Sequence, residues 1–286
     1  KVIGVDPAEI PCKIANQNGI KTFNEFFTDT TVKYVKNEFG QPDLITSQNA
    51  LAHIDNLEKV FENVYLLLKD EGYFAFEVGY FGKVLENNLF DTIYHEHLDY
   101  HHAKPLVKFL QKIGFKVIDL STNTIQGGTL RLLLQKSKLK TRLKKVEKFI
   151  KLEEKFFKKI NIKNKFLNFK KTLLKLNSLV KKEIDKKNNV YAYGSPTKAS
   201  LLLINSKLSK NMIKNSFEDN SLKWNKYIPG SDIKIINTKK IKINPGSVII
   251  ILAWNFSKEI EMRLKNLDIK NIKLFIPLPK ANIRNI

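Results

Sequence analysis

Asp43-Leu44-Ile45-Thr46-Ser47 follows the breaker Gly40-Gln41-Pro42 and precedes Gln48-Asn49-Ala50-Leu51-Ala52-His53-Ile54-Asp55. A short run bounded by turn signals, too brief for a helix, reads as a buried strand in a parallel sheet. The residues after it lie where strands hand over to loops, the ligand-bearing edge of such sheets. Downstream, apolar residues at 57, 60, 61, 64, 67 and 68 mark a helix from Leu57 to Leu68. Asp70-Glu71-Gly72 then turns the chain into a strand over Tyr73 to Val78. Upstream, Val2 to Val5 is a short strand ending at Asp6-Pro7, and Ala8 to Asn18 is a helix closed by Gly19. A strand with its loop over Ile20 to Phe27 and a helix over Val32 to Phe39 complete the approach. Beyond the centre, a helix over Leu106 to Ile113 ends at Gly114, and strands run from Phe115 to Leu120 and from Gln126 to Leu134. This alternation makes the first half α/β.

The pattern changes from Ser137 to Asp185. Leu139, Leu143, Val146, Ile150, Phe157 and Ile160 recur at helical spacings, and after a break the series resumes at Phe166, Phe169, Leu173, Leu176, Val180 and Ile184. One kinked helix or a helical pair with a lysine-rich outer face fits, acting as a connector. The last third is α/β again. Val190-Tyr191-Ala192-Tyr193 and Val248 to Leu252 read as strands, Glu259 to Leu267 as a helix, and Lys273 to Ile276 as a final strand before Pro277-Leu278-Pro279. The expected organisation is an incomplete Rossmann-like domain over 1–136, a helical connector over 137–187 and a second, smaller Rossmann-like α/β domain over 188–286. The first domain is expected to be incomplete because the sequence opens inside a strand.

At 286 residues the chain can build two cores. Its single cysteine, Cys12, excludes an internal disulfide and a multi-cysteine zinc cage in this sequence, and fits a reducing, cytoplasmic setting. No apolar run is long enough for a membrane span. The net charge of +22 invites a nucleic-acid reading. Yet only four arginines (Arg131, Arg142, Arg263, Arg284) contribute, and arginine is the preferred fork for phosphates and base edges. The excess is lysine, beside abundant Asn and Ile, which matches a compositional bias. No specific nucleic-acid partner is expected.

Chemistry concentrates in Phe90-Asp91-Thr92-Ile93-Tyr94-His95-Glu96-His97-Leu98-Asp99-Tyr100, with His101 and His102 following. Four of the five histidines fall here, interleaved with tyrosines and a glutamate, and imidazole exchanges protons near neutral pH. His95 and His97, two residues apart on an extended segment, would point the same way, so a metal-dependent enzyme is an alternative. A non-catalytic anion or nucleic-acid binder is another. Asp6 ends a strand where a carboxylate commonly takes ribose hydroxyls, or else it caps the helix that follows. Arg131, after a double glycine, would hold an oxyanion or make a structural ion pair. Gly194-Ser195-Pro196-Thr197-Lys198 joins a strand to a helix start, where backbone N–H groups and a point charge suit a phosphate. Asp219-Asn220 closes another strand, to meet a nucleotide or simply to turn.

Asp91 to Leu98, Gly127-Gly128-Thr129-Leu130-Arg131, Tyr193 to Lys198 and Trp254-Asn255-Phe256 occur together and in this order in one family. With Asp6-Pro7 and Asn49 to His53, they make the chain resemble the sugar C-methyltransferases that act on nucleotide-linked keto-deoxysugars with S-adenosylmethionine. The resemblance spans nearly the whole chain. It implies that 1–136 is the methyl-donor domain and that 188–286 helps to hold the nucleotide sugar, with thymidine diphosphate as the expected carrier. It also implies a small N-terminal zinc-binding domain and a glycine-rich turn, neither of which is in this sequence. By resemblance His97 is the base that forms an enolate, with Glu96, Tyr94 and His95 assisting. Asp6, Asn49 and His53 would border the donor, while Arg131, Tyr193, Ser195, Lys198, Asp219 and Asn220 would meet the substrate.

Overall fold

The computed structural model describes residues 1–137, 143–267 and 269–286; Leu139 of the helical series lies outside them. The chain divides into two compact units, each assembled from separated segments. The first takes residues 1–80, 98–124 and 129–158, and the second takes 81–97, 125–128 and 159–286.

In chain order the first unit begins with β1 (Gly4–Val5), α1 (Glu9–Gln17), β2 (Thr22–Phe23) and α2 (Asp29–Phe39). It continues with β3 (Leu44–Gln48), α3 (Leu57–Leu67) and β4 (Tyr73–Gly79). The chain then contributes α4 (Phe81–Asn87) to the second unit. It resumes the first with α5 (Ala103–Ile113), β5 (Phe115–Asn123), β6 (Thr129–Lys136) and α6 (Lys144–Lys159). β1 and β2 form a parallel pair, while a second sheet runs in the order β3-β4-β6-β5. Within it β3 and β4 are parallel, and β6 is antiparallel to both of its neighbours.

The core follows from apolar spacing. Ala103, Leu106, Val107 and Leu110 of α5 are all buried, one stripe of a helix at intervals of three and four. Phe61 of α3 meets Phe74 and Phe76 of β4 edge-to-face, with centroids 5.7 and 5.4 Å apart. The parallel pairing of β3 agrees with its sequence; its burial does not. Leu44 is 54% exposed and Thr46 and Gln48 are exposed with it, an uncovered face of the strand, while Ile45 and Ser47 on the opposite face are half-buried.

α6 carries Val146 and Ile150 into this core. Its Glu153, only 4% exposed, accepts from the backbone N–H groups of Ala103 (2.7 Å) and Lys104 (3.0 Å) and from the Tyr80 hydroxyl (3.0 Å). It also lies 3.3 Å from His102 Nδ1. A residue fifty positions away thus satisfies the first donors of α5. The helical stretch is a pair rather than one kinked helix. The Asn161 side chain accepts from Asn164 N at 2.9 Å, an N-cap that starts a new helix.

The second unit then adds α7 (Ile162–Asp185), β7 (Val190–Tyr193), α8 (Ala199–Asn205), β8 (Ser216–Glu218), β9 (Tyr227–Ile228) and β10 (Ile233–Asn237). It ends with β11 (Val248–Ile251), α9 (Ser257–Asn266), β12 (Lys273–Ile276) and β13 (Asn282–Asn285). The sheet order is β13-β12-β11-β7-β8-β10-β9, parallel except for the two marginal strands. β7 and β11 are buried throughout. β7, first in sequence, has β8 on one side and β11 on the other, so the strand order reverses between β7 and β11. That is the switch point of a doubly wound sheet. β12 is not the last strand, as its sequence suggested: the polar Asn282-Ile283-Arg284-Asn285 pairs with it as an edge. Among the described residues no helix is long and apolar enough to cross a membrane.

Candidate active site

The histidine-rich stretch starts on a short 3-10 turn, Phe90–Thr92. Phe90 packs on Phe166 and Phe169 of α7, with centroids 5.5 and 5.8 Å apart. Asp91 is completely buried. Trp254 Nε1 donates to its Oδ2 at 2.6 Å, and Lys198 Nζ lies 3.7 Å from the same oxygen. The ammonium also sits 3.9 Å from the Trp254 ring centroid. Oδ1 has no hydrogen-bond partner. Burial pushes the Asp91 carboxyl above its ordinary range against the pull of Lys198. Burial likewise holds Lys198 below the usual lysine range, with Asp91 opposing. Gly127, at φ +94°, completes the wall: a Cβ there would come within 2.7 Å of Leu89 Cδ1 and 3.1 Å of Trp254 Cη2.

His97 hangs from the same turn. Its Nδ1 is 2.8 Å from the Thr92 carbonyl oxygen, and the Thr92 hydroxyl donates to the Leu89 carbonyl at 2.7 Å. A carbonyl oxygen only accepts, so Nδ1 carries the hydrogen, and in the neutral ring Nε2 keeps its lone pair. The Tyr94 ring lies 4.4 Å from the imidazole, and His97 N donates to the Tyr94 carbonyl at 3.0 Å. His95 and Glu96 are exposed. The other two histidines belong to the first unit. His101 is buried, and burial lowers its pKa with the Asp99 charge opposing; His102 stands beside Glu153. Among the described residues no group of three or more His, Cys, Asp or Glu side chains is placed to hold a metal ion.

The three residues expected around the donor sit in the first unit at the C-terminal ends of parallel strands. Asp6 follows β1, exposed, with Oδ1 accepting from Ala8 N at 2.8 Å. This is a turn contact to the residue before α1 and not the helix cap weighed from sequence, since no side chain caps that helix. Asn49 follows β3 at φ +51°, a bend into the left-handed region, and its N–H donates to the Glu77 carbonyl at 2.8 Å. His53 is exposed on the next 3-10 turn, beside buried Leu51 and Ala52. An exposed carboxylate beside one strand and an amide and imidazole beyond another suit ribose hydroxyls and a polar base edge. The donor set fits S-adenosylmethionine.

Four of the six expected substrate residues gather at the ends of β7 and β8. Tyr193 OH donates to Asp219, 3.2 Å from both carboxylate oxygens, and Arg263 pairs with Asp219. Burial, with the Asp219 charge adding, pushes the Tyr193 phenol up to about 12. Ser195 is buried, and its backbone N–H donates to Glu218 Oε2 at 2.7 Å. Asn220 N donates to Glu218 Oε1 at 3.0 Å, and Lys223 Nζ donates to the Ser195 carbonyl at 3.0 Å. Glu218, Lys223 and Arg263 were not singled out from sequence. A second carboxylate at a strand end was the available signal for Glu218; nothing local marks Arg263, a mid-helix cation.

The remaining two expected substrate residues have their charges met inside the chain, Lys198 by Asp91 and Arg131 by Glu77. Arg131 donates through Nε (3.0 Å) and Nη2 (2.9 Å) to Glu77 Oε2.

Two family descriptions match this chain: a C-methyltransferase C-terminal domain over residues 124–279, and a methyltransferase domain over residues 1–120. The C-methyltransferase NovU of Streptomyces niveus is 27% identical over 287 residues, covering 99% of this chain and 68% of that protein. Similar solved structures include the N-methyltransferase NodS of Bradyrhizobium japonicum WM9 (11% identity, 48% of this chain and 74% of that one, TM-score 0.35). Another is the magnesium protoporphyrin IX methyltransferase ChlM of Synechocystis PCC 6803 with bound SAH (14% identity, 48% and 64%, TM-score 0.37). The class is that of S-adenosylmethionine-dependent methyltransferases. Within it, the chain belongs to the C-methyltransferase family.

Proposed function

We propose that this protein methylates a carbon next to the keto group of a nucleotide-linked deoxysugar, with His97 as the base. The observation that carries the reading is the Nδ1–H bond from His97 to the Thr92 carbonyl, which presents Nε2 as the basic nitrogen. Carbon becomes a nucleophile only after the proton beside the ketone has gone, and Nε2 is the atom to receive it, leaving an enolate. The held Nδ1–H keeps the ring from turning as it becomes imidazolium. Tyr94, against that ring, supplies a hydroxyl for the developing oxyanion, with Glu96 and His95 flanking. S-adenosylmethionine, held by Asp6, Asn49 and His53, supplies an electrophilic methyl group.

The nucleotide part is assigned to the ends of β7 and β8, in the same unit as His97. Glu218 and Asp219 offer acceptors for ribose hydroxyls at the end of the second parallel strand. Arg263 and Lys223 supply cations for phosphate oxygens, and Tyr193, Ser195 and Asn220 border them. Thymidine diphosphate is the carrier we assign. The test is His97→Gln assayed with a thymidine-diphosphate keto-deoxysugar and S-adenosylmethionine. Turnover should fall by about 10²- to 10⁴-fold, while S-adenosylhomocysteine binding by calorimetry stays as in the unaltered chain. Undiminished turnover in this variant ends the proposal for the base.

A further inference from the structure

We propose that Asp91 is a positioning residue for the reaction: seated between Lys198 and Trp254 at the switch point of the second unit's sheet, it fixes the turn that holds His97 in its Nδ1–H form. The inference rests on the reading of His97 as the base and extends it to a part of the fold with another expected use.

The switch point is where doubly wound sheets usually receive a ligand, often an anionic one. Here the exits of β7 and β11 are tightly apposed. Gly194 leaves β7 at φ +82°, and a Cβ on it would lie 2.5 Å from the Ala253 side chain beyond β11. Trp254 follows Ala253, and Lys198 ends the turn that follows Gly194. What these two residues bind is the chain's own carboxylate, from a segment 163 residues before Trp254. Indole N–H, ammonium and carboxylate share one oxygen, Asp91 Oδ2, so the segment is located at a point rather than along a surface.

Burying a carboxylate is costly unless it is fully paired, and Oδ1 is not paired. A residue that only filled space here would be better served by an apolar side chain. The carboxylate gives direction. Asp91 is followed immediately by Thr92, whose carbonyl takes the His97 Nδ1–H and whose hydroxyl closes the turn on the Leu89 carbonyl. A shift of Asp91 therefore moves the acceptor that sets the tautomer of the base. Lys198 and Trp254 act through Asp91, and none of the three needs to touch the substrate.

The experiment combines kinetics with nitrogen-15 NMR of the histidine rings, the His97 signals being assigned by their loss in His97→Gln. Asp91→Asn keeps an oxygen for Trp254 to donate to and removes the charge beside Lys198. In the unaltered chain His97 should show the Nδ1–H form. In Asp91→Asn its signals should shift toward a mixture of tautomers, with kcat down about tenfold to a hundredfold and KM changed by less than about twofold. A folded Asp91→Asn chain with the original His97 signals and an unchanged kcat overturns the proposal. If Asp91→Asn does not fold, Trp254→Phe carries the same measurements, since it keeps a ring under Lys198 and removes only the N–H on Oδ2. There too, altered His97 signals support the proposal and unaltered ones overturn it. Failure of the base reading shows separately, as undiminished turnover in His97→Gln.

Discussion

Glu77 carries a charge that burial alone would push toward neutrality. The Thr129 hydroxyl, donating to Oε1 at 2.8 Å, the polar Asn123 side chain and the Arg131 guanidinium outweigh that penalty and hold its pKa below the ordinary 4.5. A carboxylate lowered in the folded state adds stability above pH 4.5 and loses it as the pH falls through the lowered value. Glu77→Gln should therefore cost about 1–3 kcal/mol at neutral pH. Its stability should also fall less steeply than that of the parent chain below pH 4.5. Urea unfolding at neutral pH and near about pH 3 measures both. Arg131 shows what single residues reveal in sequence. A cation after two glycines stood out, but its carboxylate lay 54 positions earlier and carried no local mark. Asp91 and Trp254 were both visible within motifs. Their pairing was not, because hydrogen bonds between distant positions leave no periodic trace.

Among the elements, the alternation of strand and helix was legible throughout the first half, since apolar spacing is a local property. Burial of β3 was not, because a run of five residues cannot report whether both faces of its sheet are covered. β9 and β13 escaped notice because the first is two residues long and the last is polar, while β10 was passed over although its isoleucines alternate as a strand's would. α6 is the sharper case. Its lysines read as an outer face and its glutamates carried no mark, so only the tertiary structure separates buried Glu153 from exposed neighbours. Glu153→Ala should destabilise the first unit by roughly 3 kcal/mol, since it strands several buried donors at once. Amide exchange at Ala103 and Lys104 should rise in the same variant; unchanged protection there would refute the capping role. At the β7 exit, Gly194→Ala adds a Cβ 2.5 Å from the Ala253 side chain at a left-handed φ. A loss of about 1–3 kcal/mol in thermal or urea unfolding is the expected result.

For the whole molecule, the net charge of +22 predicts attraction to any polyanion, but its source is lysine spread along the chain. Retention on DNA should be independent of sequence and vanish by about 0.2 M salt, as gel shifts across a salt series will show. Domains read along the sequence are contiguous because they follow changes of pattern, whereas the compact units follow packing. Residues 81–97 accordingly pack with the second unit though both flanks belong to the first. This detour has a consequence during synthesis. As the nascent chain leaves the ribosome, Asp91 emerges long before Trp254, its partner 163 positions on. Until that tryptophan is made, the acid lacks the indole that receives it in the folded chain. Closing so long a loop is slow, and chaperone binding or aggregation competes for the segment in the interval.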